Sequence, residues 1–301
     1  MFPSLLARRE FLRSLTAAGA SCLAAGACGA DENGVREPVH RVAKANNSNT
    51  NNPPAAAAGE KHPLDPALDM AEKSLANIRA NIDDYTCRIT KQERIRGQLQ
   101  DEEYMEAKIR NRKVDAAGKV LVPLSVYMKF IGPPAVKGRE CIWVEGQNNN
   151  KMRAHEGGVK GRFMPTVWLD PDGPIAMDGQ LHPIYDIGVE NLVIKLIERG
   201  EKEKKFPECD VEFIKNAKIN GRGCTVLRVV HPIQRPHFEF HRAEIFIGDQ
   251  LNIPVRYAAF YWPAKPGAED DVLEAYTYTN VKVNVGLTDA DFDPKNPNYN
   301  F

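Results

Sequence analysis

The chain has no surplus of charge of either sign. Lys plus Arg and Asp plus Glu each number 40, so it lacks the basic excess with which nucleic-acid-binding proteins meet a phosphate backbone. It also lacks a long hydrophobic run. Nothing approaches the ~18 apolar residues of a membrane span, so membrane contact is expected only through an N-terminal anchor or a surface. The signatures of common catalytic machinery are missing too. There is no G-x-S-x-G nucleophile elbow and no G-x-G-x-x-G or G-x-x-x-x-G-K-[ST] phosphate loop, and no cofactor is implied. None of the 6 cysteines recurs at the close spacing of a zinc knuckle.

What is present begins with a leader. Arg8-Arg9-Glu10-Phe11-Leu12-Arg13 has the twin-arginine export pattern, and a mildly apolar stretch rich in small residues follows from Ser14 to Ala27. The expected partner is the twin-arginine export machinery, and the expected location is the periplasm or a membrane face looking into it. Ala25-Gly26-Ala27-Cys28 partly resembles a lipobox, with Ala25 where Leu is usual. Two outcomes stay open: lipidation of Cys28, or cleavage after a small residue to leave a soluble protein. Residues 1–28 are thus read as the export signal. Residues 29–61, with Asn46-Asn47-Ser48-Asn49-Thr50-Asn51-Asn52-Pro53-Pro54 at their centre, have almost no large apolar side chain. Ordering them would cost backbone entropy with nothing buried in return, so they are read as a disordered tether.

Residues 62–301 are read as a single domain, and hydrophobic residues at 43% of the chain are enough to build its core. Asp65 is placed as an N-cap with Pro66 in the first helical position. Leu68, Ala71, Leu75, Ile78 and Ile82 then recur at helical spacing. A second helix is expected from Gly188 to Arg199, closed by Gly200 in the left-handed position. About ten strands surround these helices: Asp84–Arg96, Glu103–Arg112, Leu124–Phe130, Arg139–Glu145, a partner beginning at Lys151, Arg162–Leu169, Val211–Ile219, Cys224–Val230, His237–Ile247, Pro254–Trp262 and Leu273–Val285. Asn220-Gly221 is a strong hairpin signal, and Asp170-Pro171-Asp172-Gly173 a turn. In the last strand Thr277, Thr279, Val281, Val283 and Val285 are placed on one face. Gly286–Phe301 reads as a solvated tail. Short connections make the pairing mostly antiparallel. The fold class is α+β: a curved, mostly antiparallel sheet packed on an N-terminal helix and a second mid-chain helix.

Two side-chain groupings bear on chemistry. Cys87, Cys141, Cys209 and Cys224 remain after the leader, and Cys209 with Cys224, flanking the hairpin, is the favoured disulfide among three pairings. His237, Glu239 and His241 would share one face of a strand, a ligand set able to hold zinc. On a straight strand they span about 13 Å, too far for one tetrahedral ion, so the plainer reading is a solvated face and no metal is assigned.

The mature chain resembles an exported bacterial family, domain of unknown function 1571. The resemblance rests on Tyr127-Met128-Lys129-Phe130, Lys137-Gly138-Arg139-Glu140, Trp143-Val144-Glu145-Gly146, Ala243-Glu244-Ile245-Phe246-Ile247, Ile253-Pro254-Val255-Arg256-Tyr257 and Gly286-Leu287-Thr288-Asp289-Ala290-Asp291-Phe292. More distantly the layout is similar to the LolA-like superfamily of lipoprotein and lipid carriers. That resemblance implies a half-open barrel with an apolar mouth, and a lipid or lipoprotein as cargo. Leu124, Val126, Met128, Phe130, Ile142 and Val144 are the candidate cavity wall. The leading expectation is a non-enzymatic envelope protein binding a lipid, acyl chain or lipoprotein in its concave sheet. The rivals are a non-catalytic envelope scaffold and a hydrolase or metal-dependent enzyme built on His155 or on His237, Glu239 and His241. Export is expected to need the arginine pair: Arg8→Lys with Arg9→Lys should trap precursor in the cytoplasm, and a normal rate of appearance in the periplasm would refute the twin-arginine reading.

Overall fold

The computed structural model describes residues 39–40, 62–161, 163–265, 268 and 271–301. Arg8, Arg9, Cys28 and all of the 29–61 tract except Val39 and His40 lie outside these residues. Helix α1 (Asp65–Asn81) follows its apolar stripe, with Leu68, Ile78 and Ile82 buried and Ala71 and Leu75 half-buried. Its N-cap is Leu64, not Asp65. Asp65 is the first helical residue. Its carboxylate accepts the His62 backbone N–H at 2.9 Å and pairs with Lys204 at 2.8 Å, placing negative charge at the positive end of the helix dipole.

Helix α2 (Val189–Glu203) runs past the expected stop. Gly200 is not a left-handed terminus. It is buried within the helix, and a Cβ there would lie 2.8 Å from Leu68 Cδ2. Glycine at this point lets α1 and α2 approach with no side chain between them. Arg79 and Glu190 pair at 2.8 Å across the same contact. Ser74 and Asn77 donate to the backbone oxygens of Asn252 and Leu251 at 2.8 and 3.0 Å, which fixes α1 over the sheet.

The main strands are β1 (Asp84–Ile95), β2 (Glu103–Arg110), β3 (Ser125–Gly132), β4 (Glu140–Val144), β5 (Met152–His155), β6 (Val167–Leu169), β7 (Asp210–Ile219), β8 (Arg222–Val230), β9 (Arg242–Gly248), β10 (Ile253–Tyr261) and β11 (Asp271–Val283), and Lys113–Val114 pairs with Val120–Val122 in a separate small ribbon. With Val39–His40 and Gln98–Leu99, β1 to β11 form one sheet of 13 strands in the order Val39–His40, β7, β8, β9, β10, β11, β1, β2, β3, β4, β5, β6, Gln98–Leu99 being folded back on β1. Every neighbouring pair is antiparallel. The sheet does not close. Val39–His40 pairs with Ile219 and Lys218 at one edge, and β6 forms the other. At the β7–β8 turn Asn220 and Gly221 have φ of 48° and 75°, the left-handed pair that an Asn-Gly hairpin requires.

Register corrects several expectations. Ala217 faces Cys224 and Asp210 faces Val230. Cys209 therefore lies beside the far end of β8, about 23 Å along the strand from Cys224 at ~3.3 Å per residue. A disulfide needs Cα atoms within about 7 Å. Both thiols are free and buried, Cys209 in the main core and Cys224 in a separate cluster with Ala217, Ile219 and Phe246. In β11 an irregularity between Thr279 and Lys282 switches faces. Val281 and Val283 join Tyr276 and Tyr278 in the main core, while the Thr277 hydroxyl accepts from Arg256 at 2.6 Å. An inserted residue flips the alternation, so one period cannot run the length of the strand.

The C-terminal segment is not a solvated tail. Phe292 is buried with Tyr127, Ile142 and Val144 on the convex face, and Leu287, Tyr299 and Phe301 pack against them. Tyr299 stacks on Tyr127 at 4.1 Å between centroids. The fully buried Glu140 carboxylate accepts the Asn300 backbone and side-chain N–H groups at 3.0 and 2.8 Å and pairs with Lys129 at 3.0 Å.

The α1–α2 contact generates a test. Gly200→Leu should destabilise the protein by about 1–3 kcal/mol in urea unfolding, since a bulky side chain must part the helices. An unchanged midpoint would mean that they are not in contact.

Candidate functional site

The concave face has two covers. Helices α1 and α2 lie over β8, β9 and β10, where Leu227, Val229, Ala243, Ile245, Pro254 and Tyr257 face them across a space of only ≈ 70 Å³. Over β2 to β6 the cover is instead the irregular stretch 171–187. Beneath it lies a cavity of ≈ 420 Å³, within the ~300–1,000 Å³ of small-molecule sites.

The cavity wall comes from alternating positions on successive strands: Met105 on β2, Met128 and Phe130 on β3, Cys141 on β4, Met152 and Ala154 on β5, Val167 and Leu169 on β6. Ile175, Ala176, Ile184 and Ile187 form the roof, with Pro171, Pro174 and Pro183 between them. Proline limits the freedom that such a stretch loses on ordering. The turn entering the roof is the expected one: Gly173 N–H donates to the Asp170 backbone oxygen at 2.9 Å and Asp172 N–H to the Asp170 carboxylate at 3.1 Å. Close backbone contact anchors the chain earlier, at residues 157–158. A Cβ on Gly157 would lie 2.3 Å from the Val136 carbonyl oxygen and one on Gly158 2.6 Å from that of Ala135, and Gly158 N–H donates to the Lys137 oxygen at 2.7 Å.

Of the expected wall residues, Met128 and Phe130 line the cavity. Leu124 and Val126 share the concave face but belong to packed core. Ile142 and Val144 lie on the convex face beneath the C-terminal segment. The β3–β4 register pairs Met128 with Cys141 and Tyr127 with Ile142, and directly paired residues share a face. Cys141-Ile142-Trp143-Val144 is apolar at every position because β4 is covered on both sides, so it carries no alternation from which to read the face. Met105, Met152, Met164, Lys91 and His182 were not singled out by pattern. Methionine content offers the retrospective signal, since Met105, Met128, Met152 and Met164 are four of the chain's 7 methionines.

One end of the cavity is polar. Lys91, Glu93 and Glu274 are buried there. Lys91 Nζ pairs with Glu103 at 2.8 Å and Glu93 at 3.4 Å and also donates to Gln180 of the roof. Glu93 accepts the Leu181 backbone N–H at 3.1 Å and the Tyr276 hydroxyl. His182 Nε2 lies 2.8 Å from Glu274 Oε2. These bonds fasten roof residues 180–182 to β1 and β11. Burial opposes charge on both His182 and Glu274, but their hydrogen bond and mutual attraction outweigh it, so the His182 pKa is raised and the Glu274 pKa lowered. Cys141, the thiol on the wall, is pushed up to about 12 chiefly by burial. It stays protonated near neutrality and is no nucleophile.

The imagined catalytic groupings do not converge. His237, Glu239 and His241 lie in a loop before β9, not on a strand. His237 stacks on Phe206 at 3.6 Å between centroids, Glu239 pairs with Arg199 at 2.7 Å, and the His241 ring bonds the His231 backbone oxygen at 3.0 Å. His155, on the cavity rim, bonds the Thr166 hydroxyl at 3.2 Å.

The family model described as protein of unknown function (DUF1571) matches residues 82–301. The chain belongs to that family. The match takes in every strand from β1 to β11 and the whole cavity wall. No curated protein sequence matches the chain. Among solved structures it is similar to a putative outer membrane lipoprotein-sorting protein domain from Vibrio parahaemolyticus, at 11% identity over 75% of this chain and 95% of the other with a TM-score of 0.36. It is likewise similar to a LolA superfamily protein from Nitrosomonas europaea, at 8% identity over 74% and 97% with a TM-score of 0.31. A third is the lipoprotein LppX of Mycobacterium tuberculosis, at 13% identity over 73% and 99% with a TM-score of 0.37.

The His182–Glu274 pair sets a pH dependence. With the His182 pKa raised on folding, its stabilisation is whole below the ordinary imidazole value of 6.5 and is lost as pH rises through the folded-state value. With the Glu274 pKa lowered, the carboxylate's share is whole above its ordinary 4.5 and is lost only as pH falls through the folded-state value. His182→Gln should therefore lower the melting temperature more at about pH 5.5 than at about pH 8.5. An equal loss at both would show that the pair does not govern the fastening.

Proposed function

We propose that the protein is an exported envelope protein that holds the acyl chain of a lipid or lipoprotein in the cavity beneath residues 171–187, without catalysing a reaction on it. The observation that carries this reading is the ≈ 420 Å³ space walled by Met105, Met128, Phe130, Met152 and Leu169. A thioether chain has three rotatable bonds and a polarizable sulfur, so a methionine-rich wall can refit itself around flexible apolar cargo. The polar end at Lys91, Arg139 and His182 gives a headgroup somewhere to lie. The twin-arginine leader supports location outside the cytoplasm, with the export machinery as a passing partner. A protein that acts as a scaffold alone would have no use for the cavity.

Enlarging two neighbouring positions tests the reading. Met128 lines the cavity, whereas Val126 is fully buried in packed core. Val126→Trp should cost about 1–3 kcal/mol of stability, because overpacking strains its neighbours. Met128→Trp should change stability by less than about 1 kcal/mol and block uptake of a fluorescent fatty acid, since the ring fills space that is otherwise open. A parent protein that takes up no acyl probe would defeat the carrier reading and leave the scaffold.

A further inference from the structure

The two ends of the cavity differ in chemistry. Met164, Val167 and Ile175 line it and are exposed, so its mouth is apolar. The other end is unevenly charged. Among the described residues, Lys91 and Arg139 are the lysine and arginine side chains that line the cavity, and both are engaged. Lys91 Nζ lies between Glu103 at 2.8 Å and Glu93 at 3.4 Å and donates to Gln180. Arg139 Nε donates to Glu156 at 2.9 Å, and its guanidinium lies 5.3 Å from the Phe130 ring centroid. His182 is held by Glu274 at 2.8 Å. Four carboxylates thus face two permanent cations and one imidazole. The charges packed around this group cancel in pairs: Asp186 with Lys195 at 3.0 Å, Asp178 with Arg96 at 4.0 Å, Arg199 with Glu239 at 2.7 Å, and Arg94 with Asp271. The polar end is negative whether or not His182 is protonated.

Strand register concentrates that charge. Lys91 is paired with Glu103, and Glu93 directly faces Glu274. Glu93 and Glu274 are only 3% and 4% exposed, and like charges set opposite one another destabilise a sheet. The Tyr276 hydroxyl donates to Glu93 and lies 3.4 Å from Glu274. Glu103 has Lys91 as its sole partner among the described residues. A carboxylate offers about four acceptor sites, so these acids retain capacity to accept, while each cation is already committed. A carboxylate or phosphate entering here would meet like charge and no uncommitted cation. An ammonium would bring both the charge and the donors that the three acids lack, and in a buried site the difference is magnified.

We propose that the cavity selects an amphiphile with a cationic amine head, laid against Glu93, Glu103 and Glu274 with its aliphatic chain along Met105, Met128 and Met152. The inference rests on the cavity reading above and narrows its cargo to one chemical class. Isothermal titration of the full chain at about pH 7 with dodecylamine, dodecan-1-ol and dodecanoic acid, each below its micelle concentration, compares three heads on one chain. The amine is expected to bind at least about tenfold tighter than the acid, with the alcohol between them. Glu103→Gln keeps the side-chain shape and removes one negative charge, so it should shrink that ratio at least about threefold. Its melting temperature reports whether the fold persists, and the wild-type ranking decides the matter even where it does not. If the dodecyl chain binds but the acid binds as tightly as the amine, this inference falls and the cavity reading stands. If none of the three binds, both fall. A folded Glu103→Gln protein that keeps the wild-type ratio would place the amine elsewhere and also overturn the proposal.

Discussion

The concave face of an open antiparallel sheet has to be withdrawn from water, and the rest of this structure follows from how that is done. Side chains alternate along each strand, so a sheet of 13 strands presents one broad apolar surface with no closing strand to hide it. Helices α1 and α2 cover one half. Their meeting at Gly200 and Leu68 brings two apolar stripes down together, and little space remains beneath them. Residues 171–187 cover the other half with irregular chain held at its corners by proline and polar contacts. Such a cover cannot interdigitate with the strands as a helix does, and the cavity is the consequence.

The convex face meets the opposite problem with a strap. Asp84, buried at the start of β1, accepts the backbone N–H groups of Val285, Gly286 and Leu287 at 2.7, 3.2 and 3.1 Å. Glu140 does the same work at the far end by binding Asn300. Charge-assisted bonds to backbone donors are stronger than neutral ones, and buried carboxylates are tolerated only when so satisfied. Between these anchors Tyr127, Ile142 and Val144 are shielded by Phe292 and Tyr299. Residues that look like cavity wall in the sequence are thereby committed to the other side of the sheet.

The two covers of the concave face differ in what fastens them. Contacts between α1 and α2 are chiefly apolar, with the Arg79–Glu190 and Asp65–Lys204 pairs added to them, whereas the roof is tied to β1 and β11 through Lys91, Glu93, His182 and Glu274. A cover held mainly by buried ionic and hydrogen-bonded groups responds to protonation more than helices held mainly by apolar packing. The parts of a protein that open are drawn from its less tightly packed regions. The roof, its polar fastening and the exposed apolar side chains beside the mouth therefore form one neighbourhood, distinct from the helix-covered core.

Periodicity and turn chemistry by themselves determined the helices, nearly every strand, the Asn220-Gly221 hairpin and the antiparallel α+β class, because these depend on neighbours in sequence. The stripe from Leu68 to Ile82 and the alternation from Val126 to Phe130 could each be read without knowing what they would touch. The strand pattern was legible where one face was apolar, and Met128 and Phe130 of that face lie on the cavity. Ile142 and Val144 were misplaced, since a strand covered on both faces carries no alternation. Cys209 with Cys224 failed because flanking a hairpin says nothing of register. Thr277 and Thr279 parted from Val281 because a bulge is invisible to a fixed period. Gly200 looked like a terminus because close helix approach and left-handed stops both favour glycine. The polar fastening joins Lys91 and Glu93 to Gln180, His182 and Glu274, and the cavity joins β2 to a loop some seventy residues away. Only tertiary structure decided those, because they are contacts between distant segments that no local propensity encodes.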